Sequence, residues 1–254
     1  MKRFLTGSMM ILAFAVAAAA QTVDWRGFYV GGSLGGALGR SDAATTTVFS
    51  PTGYFATTSP PAIAEVGAQH LRDTGLAGSV TAGYIGLKGM WVYGAEIDFG
   101  AMATNGSQTG TAPYPVAPST TFTITQSVKT NWLLTVRPRI GVAFGKALYY
   151  LSGGLAVTDL NYQEVFTDTF ADCTENGGVK MTKAGWTAGG GIEYQAGRRL
   201  SVKAEYLYAD FGTASTTSTN LAGFTPPIAF PTNEFTHIAN VRVHVFRGGL
   251  NYRF

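Results

Sequence analysis

Residues 200–208 read LSVKAEYLY, and the alternation in that stretch decides the fold. Leu200, Val202, Ala204, Tyr206 and Tyr208 fall on one face, while Ser201, Lys203, Glu205 and Leu207 fall on the other. A period of two belongs to a β-strand, whose successive side chains point to opposite faces. Residues 185–195 repeat it, with Trp186, Ala188, Ile192 and Tyr194 set against Thr187, Glu193 and Gln195. So do residues 91–99, with Trp91, Tyr93, Ala95, Ile97 and Phe99 against Glu96 and Asp98. In residues 132–144, Trp132, Leu134, Val136, Ile140, Val142 and Phe144 oppose Thr135, Arg137 and Arg139.

Extended along the chain, the pattern predicts strands at about 26–40, 74–87, 90–104, 127–144, 147–160, 183–196, 199–212 and 239–254. Each is near or above the roughly 9–11 residues that a tilted strand needs to cross a bilayer. The connections alternate in length. Three are tight, at Lys88-Gly89, Gly145-Lys146 and Gly197-Arg198; four are long, at about 41–73, 105–126, 161–182 and 213–238, and rich in Thr, Ser, Ala, Gly and Pro. Short turns on one side and long loops on the other are the habit of outer-membrane barrels. The expected fold is therefore all-β: an eight-stranded antiparallel up-and-down transmembrane β-barrel with four long extracellular loops and three short periplasmic turns.

Composition agrees. Charged residues make up 13% of the chain, against about 25% in ordinary globular domains. Beyond residue 20 no run of 18 apolar residues occurs, so helical spans are not expected, and a closed barrel is the other structure that satisfies the backbone in lipid. Residues 1–20 read as a cleaved signal peptide: Lys2 and Arg3, an apolar run from Met9, then Ala18-Ala19-Ala20. That leaves residues 21–254 as one barrel domain and places the chain in the outer membrane. Without Lys2 and Arg3 the net charge falls from +3 to +1, which points to no nucleic-acid partner. One cysteine, Cys173, excludes an internal disulfide and is expected as a free thiol.

Five segments resemble a known family: WRGFYVGGSLGGALG at 25–39, GYIGLKGMWVYGAEIDF at 83–99, TVRPRIGVAFGKALYYLSGGLAVTD at 135–159, GWTAGGGIEYQAGRRLSVKAEYLYADFG at 185–212 and VFRGGLNYRF at 245–254. They are similar to the small outer-membrane β-barrel proteins of alphaproteobacteria, also known as outer-membrane immunogenic or porin-like proteins, and to the membrane domain of OmpA-type proteins. The likeness covers every strand region and none of the long connections. It implies a structural, envelope-stabilising role with surface-exposed, immunogenic and adhesion-like loops. The porin label implies the alternative of a narrow channel for ions or small solutes. The terminal Phe254, closing an alternating strand, resembles the signal read by the outer-membrane assembly machinery. Expected partners are outer-membrane lipid, lipopolysaccharide, that machinery, and a host or surface ligand of the loops.

The alternation assigns a charged inward face: Glu96, Asp98, Glu193 and Glu205 against Arg137, Arg139, Lys203 and Arg247. Eight strands enclose little more than their own side chains, and an isolated buried charge is very costly. A network of interior ion pairs is expected. The outward aromatics Trp91, Tyr93, Trp132, Trp186, Tyr194, Tyr206 and Tyr252 are expected at the lipid boundary. The competing reading is a soluble barrel with these aromatics around a ligand; it leaves Phe254 and the alternating connections unexplained.

For catalysis the residues are few. His70 and His237 stand at the edges of long connections and could meet at the rim, and a triad could be nominated from Ser41, His70 and Asp73, though Ser and Asp are common enough to give it little weight. No C-x-x-C or H-x-x-x-H spacing marks a metal site, and no cofactor is expected. Gly31-Gly32-Ser33-Leu34-Gly35-Gly36 lacks the Lys-Ser/Thr of a phosphate loop and reads as close backbone packing. Pro138 cannot donate a ladder hydrogen bond, so a bulge is expected there.

Overall fold

The computed structural model describes residues 24–254, so the proposed signal segment lies outside the described residues. Eight long strands form the wall: β1 (Gly27–Thr47), β2 (Gln69–Lys88), β3 (Trp91–Tyr114), β4 (Ala117–Phe144), β5 (Ala147–Asp168), β6 (Thr174–Gln195), β7 (Leu200–Ser218) and β10 (Phe235–Arg253). A helix, α1 (Ser59–Gly67), follows β1, and two short strands, β8 (Ala222–Gly223) and β9 (Ile228–Ala229), lie between β7 and β10. The wall strands pair antiparallel in chain order, and β10 pairs back onto β1 from Tyr29↔Arg253 to Thr47↔Phe235. The sheet is an all-β closed ring.

The tight turns follow from two glycines. Gly89 and Gly145 take φ of +63° and +56°, and each opens a two-residue turn, where left-handed backbone matches the twist of the flanking strands. Gly197-Arg198 falls within a four-residue connection between β6 and β7. On the opposite side the strands continue well into the long connections. Residues 105–126 fold as a β3–β4 hairpin, paired out to Tyr114↔Ala117. Thr109–Thr125 and Thr111–Thr123 hydroxyl pairs line its outer face. β-branched threonines favour this extended pairing.

Burial is inverted relative to a soluble protein. Along β7, Val202 and Tyr206 are exposed while Ser201, Lys203 and Glu205 are buried. Outward apolar residues on β1 run from Phe28 to Leu38. Ten steps of ~3.3 Å at a tilt of ~40° make a belt about 25 Å tall, the height of a bilayer's apolar band. Above it the outward face turns polar at Arg40 and Asp42 on β1, His70 and Arg72 on β2, and Arg242 on β10.

Inside, the side chains stack in layers. Trp25, Tyr29, Ile85, Val92, Leu148 and Tyr150 close the periplasmic end. The charged residues come next, then an apolar layer that includes Leu71, Met102, Leu133, Leu160, Leu207 and Val243. The extracellular end is capped by Phe55, Ile63, Phe122, Phe166, Leu221 and Phe235.

The expected bulge at Pro138 does not occur. Pro138 faces outward opposite Ala95, and the β4–β5 register is the same at Val136↔Leu155 and Arg139↔Ser152. The β4–β5 irregularity lies between Lys129 and Leu133 instead. No pair joins Arg137 or Pro138 to β5, so the missing N–H is absorbed by a local lapse in the ladder without an extra residue. The glycines of β1 do serve close packing: a Cβ on Gly35 would stand 1.9 Å from the Phe246 carbonyl oxygen across the closing pair.

Candidate functional site

Arg137 is the hub of the charged layer. Its guanidinium contacts Glu96 and Asp98 on β3 and donates to Glu205 on β7 at 3.0 Å. Arg139, two residues on and so on the same face, reaches Glu96 at 2.9 Å and Glu193 on β6 at 3.2 Å. Arg247 on β10 donates to Asp98 at 3.0 Å and to Glu205 at 2.7 Å. Lys203 stands 3.6 Å from Glu96 and 4.0 Å from Glu205. All eight side chains are buried, Arg137 and Glu193 fully. Tyr29 donates to Glu96 at 2.7 Å, and Arg139 lies over the Tyr150 ring at 3.7 Å. Four acids meet these four bases, and Arg253 on β10 adds a fifth at 3.5 Å from Glu193, between two apolar layers where each charge depends on its partners. Two cavities in the barrel interior hold about 10 Å³ each, room for about one water apiece.

A second buried polar group lies above the apolar layer. Glu164 on β5, Glu175 on β6 and His237 on β10 point into the tube, all fully or almost fully buried. His237 Nδ1 is 3.6 Å from Glu164 Oε2, and Nε2 is 3.4 Å from Glu175 Oε1. Burial, and then the neighbouring Glu175, push the Glu164 carboxyl up to about 10. Burial works against Glu175 too, but His237 and Ser218 outweigh it and hold that carboxyl below its usual range. No sequence spacing announced this group, because its members come from three strands brought together by register alone.

At the extracellular cap, Asp168 closes the β5–β6 connection. Its Oδ1 accepts from the Ala171 and Cys173 backbone N–H groups at 3.2 and 3.0 Å. Tyr54 and Tyr114 donate to its Oδ2, and burial pushes both phenols well above their usual range, so they remain donors. Cys173 is a free, fully buried thiol in the same cap, and burial pushes it up to about 11.

Trp91, Tyr93, Trp186, Tyr194, Tyr206 and Tyr252 are all exposed on the outward face, and Trp132 is half-buried there against Phe99. Phe254 is exposed, and its backbone N–H donates to Phe28. His70 and His237 do not meet. His70 is exposed and bonded to Asp42 at 2.7 Å, whereas His237 is interior. Ser41 is buried while His70 points out, so Ser41, His70 and Asp73 form no triad: cross-strand neighbours share a face, and positions one apart do not.

The family described as outer membrane protein beta-barrel domain matches residues 6–254. The chain is 30% identical over 246 residues to the 31 kDa outer-membrane immunogenic protein of Brucella melitensis, covering 94% of this chain and 87% of that protein. It is 27% identical over 137 residues to a 22 kDa outer membrane protein of Rhizobium leguminosarum bv. viciae, covering 54% of this chain and 53% of that one. Neither name states an enzymatic activity. Among solved structures it is similar to Neisserial surface protein A, at 13% identity and a TM-score of 0.38, covering 89% of this chain and 97% of that one. The chain is an outer-membrane protein and belongs to the outer-membrane β-barrel family.

Proposed function

We propose that the protein is a closed, surface-exposed structural element of the envelope, with no catalytic activity and no open channel. One observation carries this reading: side chains fill the tube through its whole height. Arg137 and Lys203 are buried at its middle, Trp25 and Tyr29 below and Phe166 and Phe235 above. The two interior cavities admit about one water each, and an eight-stranded barrel has little room beyond its own side chains, which supports a lumen without a continuous aqueous path. The test is single-channel recording on refolded protein in planar bilayers. Silence up to the breakdown voltage is the expected result. A stable conductance that changes with Arg137→Gln would replace this reading with that of a narrow porin-type channel.

The relative named as immunogenic supports a surface role for the extracellular part, whose β3–β4 hairpin presents an exposed Val116 at its tip. Lipopolysaccharide is the proposed lipid partner. Arg40 stands directly across from Arg72 on one side and Arg242 on the other, just above the lipid belt. Asp42 and Asp210 already answer Arg242, but like charges directly opposite one another repel, and an anion between Arg40 and Arg72 relieves that. Below the row, Gly32, Gly78, Gly100 and Gly248 shape an apolar groove with Leu34, Val80 and Leu250. Leu34 to Arg40 spans about 15 Å along the barrel axis, a span that suits acyl chains below and phosphates above. Replacing Arg40 and Arg72 by Ser is expected to weaken lipopolysaccharide retention by the folded barrel; unchanged retention rejects this partner site.

A further inference from the structure

We propose that Glu164, Glu175 and His237 form a binding site for one divalent transition-metal ion of the zinc class, inside the extracellular part of the barrel. One ligand atom from each residue lies within 4.8 Å of the other two. Tetrahedral ligands at ~2.0–2.2 Å from zinc sit about 3.4 Å apart, so modest side-chain rotation closes the site.

The hydrogen bonds around it leave both Glu164 oxygens and Glu175 Oε2 free, while Ser218 Oγ bonds Glu175 Oε1 and stands 3.0 Å from His237 Nε2. Gln126 Nε2 donates to the Gly67 carbonyl oxygen at 2.8 Å, which fixes Gln126 Oε1 as the end facing Thr45. Thr45 has one hydroxyl proton and donates it to that oxygen, so Thr45 Oγ1 accepts from His237 Nδ1–H at 3.1 Å. With the proton on Nδ1, Nε2 keeps a lone pair beside Glu175. Ser218 donates its own proton to Glu175 and has none for Nε2. An imidazolium would answer Nε2 and Glu175, yet both Glu164 oxygens and Glu175 Oε2 are buried without any hydrogen-bond partner. Buried carboxylate oxygens without partners are costly. A dication in place of the proton on Glu164 balances the two carboxylates and gives these buried oxygens a partner. Thr45 then stands behind the histidine as the outer partner that orients a metal-bound imidazole.

Two further features fit. A Cβ on Gly177 would stand 2.2 Å from His237 Nε2, so glycine opposite Glu164 makes room for the ring. The β6–β7 side of the site carries less backbone pairing than the wall below it. Among the described residues, β6–β7 pairing stops at Trp186↔Asp210, and β6 is next joined on that side at Thr174↔Ala222. Side chains bridge the seam between them, with Asn220 bonded to Asn176 next to Glu175. One imidazole with two carboxylates suits zinc-class ions, whereas calcium and magnesium want six or more oxygens; three protein ligands leave a fourth position for water.

The test refolds the mature chain in detergent from chelator-treated material with equimolar Zn2+, desalts it and counts metal by elemental analysis. One zinc per folded barrel is expected, with visible ligand-field absorption when Co2+ replaces it. Glu164→Gln and His237→Gln, each checked for folded mobility on an unboiled gel, are expected to weaken zinc binding on the order of tenfold or more. Cys173→Ser is expected to keep the full count. Failure of the wild type to retain zinc, equal retention by a folded Glu164→Gln or His237→Gln variant, or retention of Ca2+ in preference overturns the proposal.

Discussion

Below Trp186 and Asp210 every wall strand is paired on both sides apart from the two-residue lapse at Arg137 and Pro138, whereas above that level β6 parts from β7, and β2 parts from β3 above Ala77↔Met102. The two halves differ because their solvents differ. In hydrocarbon an unpaired backbone group finds no partner, so the ring must be complete. In water a seam is tolerated, and side chains bridge it: Lys183 donates to the Thr213 carbonyl oxygen at 2.7 Å, and Asn220 bonds both backbone groups of Asn176. The lower half is held by ion pairs under a lipid-facing belt, the upper by an aromatic cap.

The contrast breaks first at its hub. Arg137→Ala strands Glu96, Asp98 and Glu205 without their shared partner and is expected to cost about 3–5 kcal/mol. Gln126→Ala, in the upper half, is expected to cost about 1–3 kcal/mol. Urea unfolding in lipid vesicles, followed by tryptophan fluorescence, compares the two; equal losses would remove the distinction between the layers. Next comes the outer face. Val136→Arg in the belt is expected to cost about 2–4 kcal/mol, while Thr109→Arg on the upper hairpin is expected to fall near zero, read by the same titration. Gly177→Ala drives a methyl into His237 and is expected to cost about 1–3 kcal/mol, with the melting temperature of the extracellular part as the readout.

Smaller effects sharpen the picture. Cys173 is expected to resist maleimide until the cap unfolds, since thiolate is the reactive form and burial disfavours it. Labelling as fast as that of the denatured chain would mean the cap is open. The smallest effect belongs to Asp42, whose carboxyl the His70 hydrogen bond helps hold below the usual range. A depressed carboxyl adds stability above its unfolded value and loses it as pH falls through the folded one. Because both partners are exposed, Asp42→Asn is expected to change thermal melting only slightly at neutral pH and not at all under strongly acidic conditions.

How much was legible depended on contrast between faces. In the belt, Val202 and Tyr206 beside Lys203 and Glu205 differ so strongly that strand, face and burial all follow from alternation. On the upper hairpin Thr109, Thr111, Thr123 and Thr125 carry no such contrast, because water lies outside and the strand need not advertise a face; residues 105–126 therefore read as loop. The apolar interior layer was hidden for the same reason: Leu133 and Leu134 are adjacent, and one faces in while the other faces out. Glu164, Glu175 and His237 converge through the registers of β5, β6, β7 and β10, which no local pattern encodes.

The pair that seals the wall joins Tyr29 to Arg253, nearly the two ends of the described chain. Timing follows from that. The first strand must wait, with its outer edge open, until the last one has been made, so the ring cannot shut progressively as the chain emerges. Contacts so distant in sequence form slowly, and the unsealed intermediate exposes both an unpaired edge and an apolar outer face, the two features that most invite aggregation. The hazard ends with the last few residues, at the moment Phe254 docks against Phe28.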